Sequence, residues 1–204
     1  MFGLYKDPFR DSRKEIFEPP TMAQTYKWIL REHSLGRINR VIENCTFEDS
    51  SSVYERIFLD CKDRVTIVAR GVKRQILDRE GVLNAVTEFF RRPNAACDIH
   101  LPAQTAEEVE NLYSTEFMRL AADSSSGTDR LSVNLYNVPK AKFIPELPSV
   151  TFGDHRTYRK RVLQKDDLYS VNANADVNFN DPETVEQWRA RVFAELEKTE
   201  KFAG

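Results

Sequence analysis

The sequence predicts an α/β fold: a mixed β-sheet sandwiched by helices, with a helical extension at the N-terminus. The run V-T-I-V-A at residues 65–69 is β-branched and almost wholly apolar, which is typical of a central strand covered on both faces. Helical stretches separate this run from the next strands, and strands joined through helices run parallel. A late run at 173–179 alternates apolar and polar residues, and this period of two indicates a half-buried strand.

Length and composition are those of a globular protein. The chain has 204 residues, of which 41% are hydrophobic and 30% charged, enough for one domain with a full core. The net charge of -2 gives no general attraction to nucleic acid or to an anionic membrane, so such contacts need a local basic patch. No apolar run approaches the roughly 18 residues of a membrane span, and the charged start is no signal peptide. We therefore expect a cytoplasmic protein without membrane contacts.

The three cysteines are Cys45, Cys61 and Cys97. Their number is odd and their spacing wide, so reduced thiols are expected, and no pairing of cysteine or histidine suits a zinc site. Cys61 and Cys97 occupy apolar positions and are predicted to lie in the core.

The N-terminal segment, residues 1–47, is predicted to be an arm followed by a helix. Large apolar residues stand in the arm without a steady period: Phe2, Leu4, Tyr5, Phe9, Ile16 and Phe17. Two interpretations stay open, because the arm could pack on its own domain or cross to a partner subunit. A capping box, Thr21-x-x-Gln24, opens a helix to about His33. Residues 37–47 fit a short strand or a second helix.

Residues 48–204 are predicted to form the α/β domain. Two further capping boxes, Ser52-x-x-Glu55 and Thr105-x-x-Glu108, indicate helix starts. The predicted elements in order are a helix from Ser52 to about Lys62, a strand at 65–69, a helix at 80–92, a strand at 96–101, a helix from Thr105 to about Ala122 and a strand at 131–138.

The C-terminal part is predicted to be antiparallel strands followed by one helix. Strands at Val150–Phe152 and Thr157–Val162 flank a tight turn at Gly153–Asp154, and a charged turn leads into the strand at 173–179. Asp181-Pro182 is a strong helix start, with an N-cap aspartate and proline at the first helical position. The apolar stripe of this helix is Val185, Trp188, Val192, Phe193 and Leu196, which predicts a largely buried Trp188.

One late pattern points to a family. It consists of Phe152-x-Asp154, then Tyr158-Arg159, then Asn178-Phe179-Asn180-Asp181 before the closing helix. This pattern resembles the C-terminal half of a phospholipase D-like domain, in the degenerate form found in bacterial proteins. The resemblance covers roughly residues 48–200 and implies a phospholipase D-like half-domain. It also implies a homodimer, because catalytic members bring two half-domains together across a pseudo-two-fold axis.

The catalytic motif of that family, His-x-Lys followed by Asp, is absent. In the family the histidine attacks phosphorus and the lysine binds phosphate oxygens. The residues two positions after His33, His100 and His155 are Leu35, Pro102 and Thr157. A lone histidine also lacks the second acid-base group that nucleophilic catalysis requires. We therefore predict no catalytic residues.

The sequence contains no motif that predicts a metal or cofactor site. Carboxylate pairs such as Glu107-Glu108 and Asp166-Asp167 stand at a helix start and in a turn, where each has a structural explanation. With seven glycines the chain has no Gly-rich loop before a helix, so we expect no nucleotide cofactor.

Two basic clusters are the candidate ligand-binding residues. Ligands of open α/β sheets gather at the carboxyl ends of parallel strands, and Arg70, Lys73 and Arg74 follow such an end. The second set lies in the late hairpin and comprises His155, Arg156, Tyr158 and Arg159, with Lys160, Arg161 and Lys165 nearby. Cations beside stacking surfaces suit phosphate contacts, whereas the alternative is a solvated face balanced by nearby acids.

The sequence thus favours a non-catalytic binding or regulatory protein that acts through self-association and through protein or nucleic-acid contacts. One alternative is a divergent phosphodiesterase or nuclease that uses His155. Another is a small-molecule sensor that uses the pocket at the strand ends.

Overall fold

The computed structural model of the protein describes residues 20–126, 129–140, 142–143, 149–162 and 174–202. Its strands are β1 (Ile42–Asn44), β2 (Arg64–Val68), β3 (Ala96–Pro102), β4 (Leu131–Tyr136), β5 (Val150–Gly153), β6 (Thr157–Arg161) and β7 (Ala175–Asn178). Its helices are α1 (Met22–Leu35), α2 (Phe47–Asp60), α3 (Arg74–Leu77), α4 (Glu80–Phe90), α5 (Ala106–Tyr113), α6 (Glu116–Ser124) and α7 (Pro182–Glu197).

The strands form one mixed sheet of order β1-β7-β6-β5-β2-β3-β4. β2, β3 and β4 are parallel, and the pairs on the other side of β2 are antiparallel. The predicted α/β class, with a mixed sheet between helices, is confirmed. β5 is antiparallel to both β2 and β6. β2 and β6 therefore run in the same direction, and their carboxyl ends lie at the same edge of the sheet. Val68 pairs with Val150, which pairs with Lys160, so this edge holds the residues that follow β2 and end β6.

Alternation along the strands builds two cores, one on each face of the sheet. On the first face, Val65 and Ile67 of β2 pack under α2, α4 and α6, with Phe58 between Phe89 and Phe117 at ring-centroid distances of 5.6 and 6.0 Å. On the second face, Val68 and its neighbours pack under α7. That second core is made of Val68, Tyr136, Phe143, Val150, Phe152, Tyr158, Val185, Val192 and Leu196.

Cys61 and Cys97 are buried, as predicted. Burial raises the pKa of both thiols, so they stay protonated and unreactive in the core.

The helix start predicted at Ser52 is wrong, because α2 begins at Phe47. Thr46 caps it: its hydroxyl accepts the Asp49 N–H at 2.9 Å, while the Asp49 carboxylate accepts the Thr46 N–H at 3.2 Å. Ser52 lies inside the helix and is buried. Both threonine and serine precede an acidic residue by three positions, so the local pattern does not decide between them.

The single helix predicted from Thr105 is two helices. Thr105 accepts the Glu108 N–H at 3.2 Å and starts α5, but α5 ends at Tyr113. Thr115 then caps α6 by accepting the Met118 N–H at 3.3 Å.

The segment at 37–47, for which the sequence fits either a strand or a helix, contributes the strand β1, which pairs antiparallel with β7. The division at residue 47 stays a prediction.

Two other local predictions are confirmed and one is wrong. The turn after β5 contains Asp154 at φ 46°, and Asp181 caps α7 by accepting the Thr184 N–H at 3.0 Å. Trp188 is only half-buried, because it lies at the margin of the second core between the charged groups of Lys160 and Arg191. The arm, the turn at Asp166-Asp167 and Ala173 lie outside the described residues.

Candidate functional site

A pocket opens at the carboxyl ends of β2 and β6, beside α3. We call it the basic pocket, because its charged lining residues are Lys73, Arg159 and Arg161. Its cavity volume is about 70 Å³, and the recess opens to solvent. The polar part of the wall also includes Tyr54 and Ser149, and the apolar part includes Ile67, Ile76, Leu77, Ile99 and Phe117.

Arg159 is held in the wall by several contacts. Residues 157, 159 and 161 of β6 share the face of the sheet covered by α2. The Arg159 guanidinium donates from Nη2 to Ser50 Oγ at 3.0 Å, and it lies 5.2 Å from the centre of the Tyr54 ring. The Tyr54 and Thr151 hydroxyls are 3.0 Å apart and share a hydrogen bond. A side chain only 6% exposed is therefore oriented toward the pocket by α2 and β5.

Lys73 and Arg70 complete a field of positive charge at this edge. Lys73 lies 5.3 Å from the centre of the Phe47 ring. Burial lowers the pKa of Lys73, and the nearby charges of Arg161 and Arg159 lower it further. Burial also lowers the pKa of Arg70, and the charge of Arg161 lowers it further. Because these cations repel one another, an anion between them would be bound favourably.

The described lining of the pocket contains no His, Cys, Asp or Glu. The side chains that converge there can donate hydrogen bonds to an anion through ammonium, guanidinium and hydroxyl groups. They do not include the histidines or carboxylates that usually move protons in phosphoryl chemistry. The described lining therefore offers positive charge and hydrogen-bond donors.

The sequence-predicted set at the end of β2 is partly brought together here. Lys73 lines the pocket and Arg70 stands beside Arg161. Arg74, the first residue of α3, turns away and donates to Ser114 Oγ at 2.6 Å. Consecutive residues at a helix start point about 100° apart, which separates the two neighbours.

The sequence-predicted set in the hairpin is divided by the sheet. Arg159 lines the basic pocket, but His155 and Arg156 lie at the opposite edge, in a shallow depression that also contains Lys62. Arg156 donates there to Asn180 Oδ1 at 3.1 Å. Tyr158 is buried in the second core because alternation sends it to the face opposite Arg159, and burial raises its pKa.

Sequence reasoning named Arg161 only as part of a cluster and missed Tyr54 and Ser149. Period two could have found Arg161, since residues 159 and 161 of one strand share a face. Tyr54 and Ser149 come from distant parts of the chain, and no local signal connects them with β6.

None of the three histidines lines the basic pocket. His100 is buried on the second face, where Nδ1 lies 2.9 Å from the Tyr136 hydroxyl, and burial lowers its pKa. His33 belongs to α1, and His155 is exposed in the β5–β6 turn. In the described ranges no group of three or more potential metal ligands comes together. Among the described helices, none is long and apolar enough to cross a membrane.

Comparisons with known proteins give a likeness at the level of fold. No protein family and no curated protein matches the chain. Among solved structures it is similar to TrmBL2, an archaeal chromatin protein whose structure shows a novel mode of DNA binding; the TM-score is 0.54 and the identity 13%. The likeness covers 81% of this chain and 54% of TrmBL2, so the chain spans about half of that protein.

Two further similar structures are covered over their whole length. Nuc from Salmonella typhimurium, a phospholipase D family member, has a TM-score of 0.48 and 12% identity over 81% of this chain and 100% of its own. NucT from Helicobacter pylori has a TM-score of 0.48 and 12% identity over 80% of this chain and 100% of its own.

Proposed function

We propose that this protein is a non-catalytic binding protein whose basic pocket holds phosphate groups of a nucleic acid, and that it acts as a homodimer. The observation that supports phosphate binding is the convergence of Lys73, Arg159 and Arg161 on one recess. Phosphate contacts from lysine and arginine dominate the affinity of proteins for nucleic acids. A net charge of -2 makes such a local cluster, rather than the whole surface, the source of attraction.

The non-catalytic part rests on the same pocket. Its described wall offers no histidine or carboxylate, and the His-x-Lys pattern is missing from the sequence. The alternative, a divergent nuclease, needs His155 near the phosphate. That histidine lines a depression at the other edge of the sheet, with Arg156, Lys62, Asp63 and Asp154, so it does not reach a phosphate held in the basic pocket.

Nucleic acid is the first anionic ligand to test. A protein that shares this fold, TrmBL2, binds DNA. At 13% identity its binding mode does not transfer, so the present proposal depends on the cations of the basic pocket alone.

The experiment is a salt titration of binding. Affinity for single- and double-stranded DNA and RNA is measured by fluorescence anisotropy for the wild type and for the double variant Lys73→Glu/Arg161→Glu. The double variant should lose binding, and the wild type should weaken steeply with salt because cation–phosphate contacts release counterions. The control double variant is Arg91→Glu/Arg119→Glu, since these exposed arginines pair with Glu88 and Glu116 of their own helices. Equal binding by all three proteins would reject the pocket as the site.

Catalysis is tested separately. The pure protein is incubated with DNA, RNA and a chromogenic phosphodiester, and no turnover is expected. Turnover that disappears in His155→Ala would replace the binding function by the nuclease alternative.

The homodimer rests on a different surface. Exposed large apolar side chains concentrate at residues 22–41 and are Met22, Trp28, Leu35, Ile38 and Val41. β1, which follows directly, is at the edge of the sheet and, among the strands that the structure describes, pairs with β7 alone. Exposed apolar patches and open strand edges are features of subunit interfaces, and the two-fold dimer is the commonest symmetric assembly.

A further inference from the structure

The basic pocket has room for a phosphate group but not for a nucleoside. Its cavity volume is about 70 Å³. A cavity needs roughly 10–15 Å³ of such volume to hold one water molecule, so the recess holds about five to seven groups of that size. A phosphorus atom with its oxygens fits within this number, whereas a sugar with its base exceeds it.

The charged groups lie inside this recess rather than on the open surface. Arg159 is buried, and Lys73 and Arg161 are only partly exposed. Two apolar lining residues, Ile99 and Phe117, are fully buried and offer no surface on which a base could stack. Because buried charges are screened less than exposed ones, these cations act most strongly on an anion that enters the recess.

A phosphate at the end of a strand differs in charge and in shape from a phosphate within the strand. A terminal phosphate monoester carries a charge of about −1.5 to −2 at neutral pH and presents three acceptor oxygens. Ammonium and guanidinium groups, which Lys73, Arg159 and Arg161 supply here, donate strong charge-assisted hydrogen bonds to such oxygens. A phosphate within the strand carries a single charge and is flanked on each side by a sugar, for which the recess has no room.

We infer that the basic pocket binds the terminal phosphate monoester of a nucleic-acid strand, with its oxygens between Lys73, Arg159 and Arg161. The sugar and base next to that phosphate stay outside the recess, so the site selects a strand end and not a base sequence. This inference rests on the proposed function and narrows it from phosphates along a strand to the phosphate at its end.

The experiment compares strands that differ in the chemistry of one phosphate. Single-stranded oligo(dA) with an internal fluorescent label is prepared with a 5′-phosphate, with a 3′-phosphate, with hydroxyl groups at both ends, and closed into a circle. The circle has as many phosphorus atoms as the phosphorylated strands, but all of them are diesters. At least one phosphorylated strand should bind the full chain at least about tenfold more tightly than the hydroxyl strand and the circle, because one charge-assisted hydrogen bond contributes that factor. The preferred strand identifies which end is bound.

Two variants at neighbouring positions separate the pocket from the surrounding surface. Lys73→Gln removes a cation of the recess and should reduce the preference for the phosphorylated strand at least about threefold. Arg74→Gln removes a charge one residue later and should keep the full preference, since Arg74 donates to Ser114 outside the recess. An unchanged preference in Lys73→Gln would overturn the inference, because the terminal phosphate would then be bound elsewhere.

The other outcomes separate this inference from the proposed function. Equal affinities for the phosphorylated strands, the hydroxyl strand and the circle, lost together in Lys73→Glu/Arg161→Glu, would overturn the inference and leave the proposed function standing. Absence of binding to every nucleic acid would overturn the proposed function itself. Ribose 5-phosphate should compete more weakly than the phosphorylated strand, because the other phosphates of a strand add their own attraction. Equal affinity for ribose 5-phosphate would overturn the assignment to a strand end and point to a free phosphate ester as the ligand.

Discussion

Lys73 and Arg74 are adjacent in the chain but have different surroundings. Lys73 lines the basic pocket, and Arg74 is bound to Ser114 outside it. We expect Lys73→Glu to weaken binding of single-stranded DNA at least tenfold, because a charge reversal removes one phosphate contact and adds repulsion. Arg74→Glu, the same reversal one residue later, should change affinity less than threefold. Comparable losses in the two variants, measured by anisotropy, would mean that the surface rather than the pocket attracts the ligand.

The lowered pKa of Lys73 predicts a pH dependence with a definite sign. Burial and the nearby arginines favour its neutral form, so the unfolded chain binds more protons at this residue and stability rises with pH in that range. An anion favours the charged form, so affinity should fall as pH rises through the lowered pKa of Lys73. Anisotropy with oligo(dA) from pH 7.5 to 10 measures this fall. In Lys73→Arg the curve should be flat, because a guanidinium stays protonated.

Two glycines form a matched pair for stability. A Cβ at Gly153 would lie 2.3 Å from Cys61 Sγ and 3.3 Å from an Ile57 methyl carbon, because β5 crosses closely under α2. Gly153→Ala should cost about 1–3 kcal/mol of unfolding free energy through overpacking. Gly71→Ala meets open space and should leave stability unchanged or raise it by up to about 1 kcal/mol. Urea unfolding of both variants measures the difference, and a tolerated Gly153→Ala would contradict the close approach.

At the scale of elements, α7 is the helix that covers the second face of the sheet in the described part of the chain. Val185, Val192 and Leu196 are buried, whereas Trp188 lies at the margin. Leu196→Ala should cost about 2–5 kcal/mol, as expected for a buried leucine. Trp188→Ala should stay below the roughly 3–5 kcal/mol of a fully buried aromatic residue. Urea unfolding tests both, with the exposed Glu186→Ala as control. A larger loss for Trp188 than for Leu196 would mean that the helix is rotated toward the tryptophan.

The start of α2 has its own test. Removing the Thr46 hydroxyl leaves the Asp49 N–H without its cap, so Thr46→Ala should cost about 1 kcal/mol. Ser52→Ala, at the position that the sequence favoured, should cost less, because alanine suits a helix interior better than serine. The reverse order in thermal unfolding would restore Ser52 as the helix start.

At the scale of the whole molecule, the apolar residues of α1 predict how two chains meet. Trp28 and Leu35 are 61% and 59% exposed and stand seven residues apart, which puts them on one side of α1. Trp28→Ser/Leu35→Ser should convert a dimer into a monomer in light scattering. Tyr113→Ser is the control, since Tyr113 is an exposed aromatic residue on α5. A monomeric wild type at tens of micromolar would exclude the dimer.

The arm at residues 1–19 is tested by truncation. Light scattering on the chain from Pro20 onward should give a weaker dimer if the arm contributes large apolar contacts to the partner, as subunit interfaces do. A dimer of unchanged affinity would move the interface away from the arm. Reduced stability of a truncated monomer would instead mean that the arm covers its own domain.

The sequence alone determined the features that depend on near neighbours in the chain. The caps at Thr21 and Asp181 are satisfied within three residues, period two identified β7 as a strand, and the turn at Gly153–Asp154 identified β5 and β6. These local signals were sufficient for the α/β class. Alternation along β6 is also a local property, so the shared face of Arg159 and Arg161 could have been predicted from the strand alone.

The tertiary structure decided everything that depends on distant pairings. The insertion of β5 between β2 and β6 brings Arg161 to the edge where Lys73 lies and leaves His155 at the other edge. No local pattern specifies which strands become neighbours, because the pairing free energy is spread over residues far apart in the chain. The choice between Thr46 and Ser52 and the half-exposure of Trp188 depend on the same long-range burial, which overrides local preference wherever two similar signals compete.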